Sequence, residues 1–88
     1  MKKKIFNNKV IIITGASSGL GKTISNAFIK EGAKVSLCSR RLGLLKKNYK
    51  ITEKVFFHRL DVCNERSVKK FIKKTIKIFG KVDVLINN

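Results

Sequence analysis

Residues 14–23 read TGASSGLGKT, a stretch in which two phosphate-binding turns compete. The tail, Gly21-Lys22-Thr23, has the G-K-[ST] ending of a mononucleotide P-loop, in which Lys reaches the β/γ oxygens and Ser/Thr holds magnesium. The glycines, Gly15, Gly19 and Gly21, have instead the arrangement of a dinucleotide turn. Either turn puts an anion at the start of a helix, where free N–H groups face it. The P-loop pattern needs a glycine five residues before Gly21, and Ala16 stands there. It also needs an acid at the end of another buried strand to help hold the metal. Asp61 follows a run broken by His58 and Arg59, and Asp83 stands at the start of its strand. The dinucleotide turn meets no such obstacle. Gly15 allows a sharp exit from the strand, Gly19 lets backbone approach a pyrophosphate, and Gly21 permits close packing of helix on sheet. Lys22 and Thr23 then belong to a solvated helix face.

The apolar pattern around the turn alternates between two periods. Val10–Ile13 is a continuous β-branched run that suits a strand buried on both faces. From Leu20 the spacing predicts a helix with Leu20, Ile24, Ala27 and Phe28 on its inner side, stopped at Gly32. Lys34–Cys38 reads as a second strand, Leu42 to about Lys47 as a short helix, and Asn48–Glu53 as loop. Val55–Leu60 is a third strand. Val68, Phe71, Ile72, Thr75, Ile76 and Phe79 mark one face of a helix opened near Asn64 and closed by Gly80. Val82–Ile86 is a fourth strand. The order β-α-β-α-β-α-β predicts an α/β fold, a Rossmann-type doubly wound parallel sheet, with residues 1–88 forming one small domain.

Composition narrows the function classes. Lys plus Arg number 21 against 5 Asp plus Glu, a net charge of +16. Such a surface attracts polyanions, but the lysines are scattered and do not interleave with aromatics as in single-strand binders. Lysine, isoleucine and asparagine excess fits codon drift, so no specific nucleic-acid partner is expected. Cys38 and Cys63 have no C-x-x-C partner and read as small buried hydrophobes in a reducing compartment. No metal site is expected. The N-terminal MKKKIFNNKVIIIT imitates a secretory leader, yet Asn7-Asn8-Lys9 interrupts its apolar run and no cleavage site follows. No stretch reaches membrane-span length; a cytoplasmic, soluble protein is the expectation.

The end of the second strand reads SLCSRRL. An Asp or Glu here accepts from the adenosine ribose hydroxyls of NAD, whereas Arg accommodates the 2′-phosphate of NADP. Ser39, Arg40 and Arg41 occupy the place and no acid does. A charged hydrogen bond contributes about 1.5–3 kcal/mol, which favours NADP by about ten- to a hundredfold.

With TGASSGLGK, SRR, LDV and FGKVDVLINN in this order, the chain from about Lys9 to Asn88 resembles the N-terminal half of a short-chain dehydrogenase/reductase. The resemblance implies that Gly15, Ser17, Ser18, Gly19, Leu20 and Gly21 hold the pyrophosphate, that Ser39, Arg40 and Arg41 choose NADP over NAD, and that Asp61 and Val62 contact the adenine. Asn87 and Asn88 correspond to the first half of the family's Asn-Asn-Ala-Gly, which gives Asn88 a place at the cofactor. It implies hydride transfer between NADPH and a carbonyl or alcohol substrate, and common homo-oligomers. The family's catalytic Ser and Tyr-x-x-x-Lys have no counterpart here. Tyr49 has Glu53 four residues on and reads as a surface residue, so no catalytic residue is assigned. These 88 residues are therefore expected to be a cofactor-binding half, inactive alone, whose fourth strand would form an exposed apolar edge. The alternative is a non-catalytic nucleotide- or nucleic-acid-binding remnant.

Overall fold

The computed structural model describes residues 5–88; the lysines at positions 2–4, weighed above against a leader, lie outside the described residues. Strand and helix alternate as β1 (Val10–Ile13), α1 (Gly19–Lys30), β2 (Lys34–Ser39), α2 (Leu42–Asn48), β3 (Val55–Arg59), α3 (Glu65–Phe79) and β4 (Val84–Ile86). The strands form one parallel sheet in the order β3-β2-β1-β4. The chain thus moves outward from β1 to β3 and then crosses back to the other side of β1. That reversal opens a crevice at the carboxyl ends of β1 and its neighbours.

β1 is buried along its whole length, as its β-branched run requires. Side chains alternate across the sheet, so Ile11 and Ile13 join Val35, Leu37, Leu45 and Val55 in one core, packed by Ile24 and Phe28 of α1. Ile12 faces the other way, with Cys38, Leu60 and Phe71, under Val68 and Ile72 of α3. Ser36 and Thr75 sit in this second layer fully buried, and their hydroxyls satisfy each other at 2.6 Å.

Three local expectations are corrected. In α1, Leu20 is 66 % exposed, and Ala27 is exposed as well. The buried residues of α1 are Gly21 and Ser25, and the missing side chain of Gly21 lets the helix approach Gly15 and Asn88 closely. β4 starts at Val84 instead of Val82. Asp83 spends its carboxylate on the Val10 N–H, with Oδ2 accepting at 2.8 Å, while its own N–H donates to Val10 O at 2.9 Å. Cys63, expected inside, is exposed on the turn after β3, whereas Cys38 is buried in β2. α3 is bounded as expected: Asn64 Oδ1 accepts from the Ser67 N–H at 3.1 Å, and Gly80 closes it. β4 lies at a sheet edge with Leu85 57 % exposed.

Candidate functional site

The carboxyl ends of β1, β2 and β3 converge on a crevice of about 370 Å³. The loop after β1 contributes Gly15 and Ser17, and the end of β2 contributes Ser39, Arg40 and Arg41. The turn after β3 adds Asp61 and Val62, and Asn88 stands beside Gly15. Ser18, Gly19 and Leu20 are exposed and do not line the cavity wall; they form the first turn of α1 and the residue before it. Gly21 lies buried beneath the loop. A wider depression of about 680 Å³ lies at the start of α3, lined by both acids and bases: Asp61, Glu65, Arg66 and Lys69.

Gly15 and Gly19 have φ of 61° and 57°, the left-handed region that other residues enter only with strain. The turn they make leaves α1 without a side-chain cap at Ser18. Among the described residues, the N–H groups of Ser17, Ser18, Gly19 and Leu20 donate to no protein acceptor. Four donors at a helix start, with open space beside Gly19, make a cradle suited to an anion.

The loop is held from three sides. The Ala16 N–H donates to Cys38 O at 3.1 Å, tying the loop to β2. Thr14, which the sequence reading did not single out, bridges to β4: its hydroxyl donates to Asn87 Oδ1 at 2.8 Å and accepts from the Asn88 N–H at 3.0 Å. Asn88 Nδ2 donates to Gly15 O at 3.2 Å. Ser39 Oγ donates to Ser17 Oγ at 2.8 Å and accepts from the Arg41 N–H at 3.1 Å. Both serines are largely buried in the crevice wall, where Ser39 braces the loop through Ser17.

Tyr49 requires a correction. It is 6 % exposed, not a surface residue, and its hydroxyl donates to Ala16 O at 2.7 Å. Burial raises its pKa above the ordinary value of 10.0. Asn48 joins it, with Nδ2 donating to Ser17 O at 2.8 Å. Leu42 and Leu45 stand at helical spacing on the inner side of α2, and Tyr49, the extended residue that ends the helix, falls one turn beyond Leu45 on the same side.

Arg40 and Arg41 are exposed, and the ion pairs among the described residues, Lys69–Glu65 and Lys81–Asp83, involve neither. The crevice mouth therefore carries two unneutralised guanidinium groups, suited to bidentate phosphate contacts. Asp61 Oδ1 accepts from the Cys63 N–H at 2.9 Å, which fixes the turn below them. Burial pushes the Cys38 thiol up to about 12, so it stays protonated and apolar. Among the described residues no group of three His, Cys, Asp or Glu is placed to hold a metal ion, and no helix is long and apolar enough to cross a membrane.

A parallel sheet that reverses at β1, with a glycine turn leading into α1, defines a Rossmann-type α/β protein. Comparison with known proteins makes the class specific: the short chain dehydrogenase family model matches residues 9–88, and the chain belongs to that family of oxidoreductases, whose members bind NAD(P)(H). It is 42 % identical over 85 residues to the 11-beta-hydroxysteroid dehydrogenase-like 2 protein of Arabidopsis thaliana, covering 91 % of this chain and 28 % of that protein. A short chain dehydrogenase from Bacillus anthracis superposes with a TM-score of 0.85 at 37 % identity, over 91 % of this chain and 34 % of that one. A short chain dehydrogenase/reductase from Burkholderia phymatum, solved in complex with NAD, gives a TM-score of 0.85 at 30 % identity, over 97 % and 31 %. The chain thus spans about a third or less of the length of these relatives.

Proposed function

We propose that this chain is the cofactor-binding portion of an NADP(H)-dependent oxidoreductase that moves a hydride between the nicotinamide and a carbonyl or alcohol substrate. The observation that carries the reading is the pairing of four undonated N–H groups at Ser17–Leu20 with two unpaired arginines at the end of β2. The amides of Ser17, Ser18, Gly19 and Leu20 bind the pyrophosphate, with Gly15 and Gly21 shaping the turn. Arg40 and Arg41 clasp the 2′-phosphate, and Ser39 holds the strand end against the loop. Asp61 and Val62 face the adenine, and Asn88 fixes the loop from the β4 side. Bound there, the dinucleotide supplies the hydride donor or acceptor. The residues of this chain bind and orient it; they supply no acid, base or substrate pocket, so residues 1–88 alone do not turn over substrate. The whole protein acts on a small carbonyl or alcohol molecule in the cytoplasm, in a family whose members commonly form homo-oligomers.

The NAD in the Burkholderia phymatum complex belongs to that protein; here the absence of an acid at Ser39–Arg41 supports NADP. Titration of the full-length protein with NADPH and NADH tests the reading. NADPH is expected to bind about ten- to a hundredfold more tightly, one or two charged hydrogen bonds in favour, and Arg40→Ala to remove most of that advantage. Equal affinities overturn the NADP preference. Binding of neither, with salt-sensitive nucleic-acid binding that survives substitution of Gly19 and Arg40, overturns the dinucleotide reading itself.

A further inference from the structure

The phosphate loop has a support that no part of the glycine pattern encodes. The carbonyls of Ala16 and Ser17 are both held by the end of α2, Tyr49 donating to the first at 2.7 Å and Asn48 to the second at 2.8 Å. The peptide unit is planar, and no cis bond occurs among the described residues, so each N–H points opposite the carbonyl of the residue before it. Fixing the Ala16 carbonyl therefore aims the Ser17 N–H, and fixing the Ser17 carbonyl aims the Ser18 N–H. Neither N–H donates to a protein acceptor among the described residues. The two anchors thus pull on one side of the loop, and free donors project from the other. Tyr49 cannot turn aside easily, because its ring is packed with Leu45 and Val55 in the buried core.

We infer that Asn48 and Tyr49 are positioning residues for the cofactor, setting the aim of the Ser17 and Ser18 amides toward the pyrophosphate through the carbonyls they hold. The inference rests on the dinucleotide reading of the loop. It gives α2, which does not itself line the crevice, a part in cofactor affinity.

The test uses two ligands on the full-length protein. NADPH engages both the loop amides and the arginines, whereas 2′-AMP carries adenine, ribose and 2′-phosphate but no pyrophosphate. Tyr49→Phe keeps the ring and removes only the donor; Asn48→Ala removes the other. The double variant is expected to bind NADPH about tenfold more weakly, the size of two neutral hydrogen bonds, and to bind 2′-AMP as the unmodified protein does. An unchanged NADPH affinity overturns the inference while leaving the dinucleotide reading intact. Parallel weakening of both ligands also overturns it, since general loosening of the fold moves both. If the unmodified protein binds neither ligand, the dinucleotide reading fails and the inference falls with it.

Discussion

Replacing Gly21 by alanine places a methyl group where there is no room for one. A Cβ at that position lies 2.0 Å from Gly15 O, 2.7 Å from Asn88 Nδ2 and 2.9 Å from the Gly15 carbonyl carbon. Non-bonded carbon contacts are comfortable only near about 3.5 Å, so α1 and the loop must part by about 1 Å or more. The clashing oxygen is backbone and cannot swing aside without turning the Gly15 peptide. Overpacking of this kind costs about 1–3 kcal/mol, against about 1 kcal/mol that alanine gains over glycine within a helix. The net expectation is a loss of up to about 2 kcal/mol in stability. Function suffers more, because a donor moved by about 1 Å from a bond of about 2.9 Å leaves hydrogen-bonding range. NADPH affinity should fall by more than about tenfold, the equivalent of one charged hydrogen bond. Gly43→Ala is the matched control: a Cβ there meets nothing within 4 Å, and the residue lies in α2. It should leave affinity unchanged and raise stability by up to about 1 kcal/mol. Urea unfolding and NADPH titration of both variants provide the assay. A Gly21→Ala protein with unaltered stability and affinity would refute the packing argument.

Two further outcomes concern groups outside the crevice. In the native protein Cys63 should react rapidly with a thiol reagent at pH 8, while Cys38 reacts only on unfolding, because one is exposed and the other buried with its thiol pushed up to about 12. Mass spectrometry after timed labelling distinguishes the sites; equal rates would contradict the burial of β2. The raised Cys38 pKa also has a sign: its contribution is fully present below the ordinary thiol value of 9.0 and is lost as pH rises above it. Asp83 titrates in the opposite direction. The Val10 N–H, and then Lys81, hold its carboxyl below the ordinary 3.8, so its contribution is present above that value and lost as pH falls through the lowered one. Asp83→Asn should therefore show a shifted urea midpoint at pH 7 that converges on the unmodified protein in acid. A difference independent of pH would assign the effect to the hydrogen bond alone.

Local chemistry carried much of this fold in readable form. The Val10–Ile13 run could be satisfied only by burial on both faces, and Gly15, Gly19 and Gly21 had a strand before them and a helix after. α3 was legible because its apolar residues repeat over fifteen positions between Asn64 and Gly80. What escaped was contact at a distance. Tyr49 bonds to Ala16 across 33 residues and Asp83 to Val10 across 73, and no window along the chain contains both ends. Tyr49 does lie in the connection after α2, but the polar Asn48 and Lys50 around it give no sign that its ring turns inward to reach Ala16. Leu20 misled for the opposite reason: it fits the helical period, but it stands where α1 emerges from the loop, beyond the sheet that would cover it. Arg40 and Arg41 stand out by their offset from the end of β2, which the parallel topology turns into proximity, whereas Asp61 enters through the family resemblance alone.

A crystal structure of the full-length protein with bound NADP tests the central claim most directly. The expected density puts the pyrophosphate within hydrogen-bonding distance of the Ser17–Leu20 amides, the 2′-phosphate between Arg40 and Arg41, and the adenine against Asp61 and Val62. A dinucleotide bound elsewhere, or with its 2′-phosphate turned away from both arginines, would contradict it.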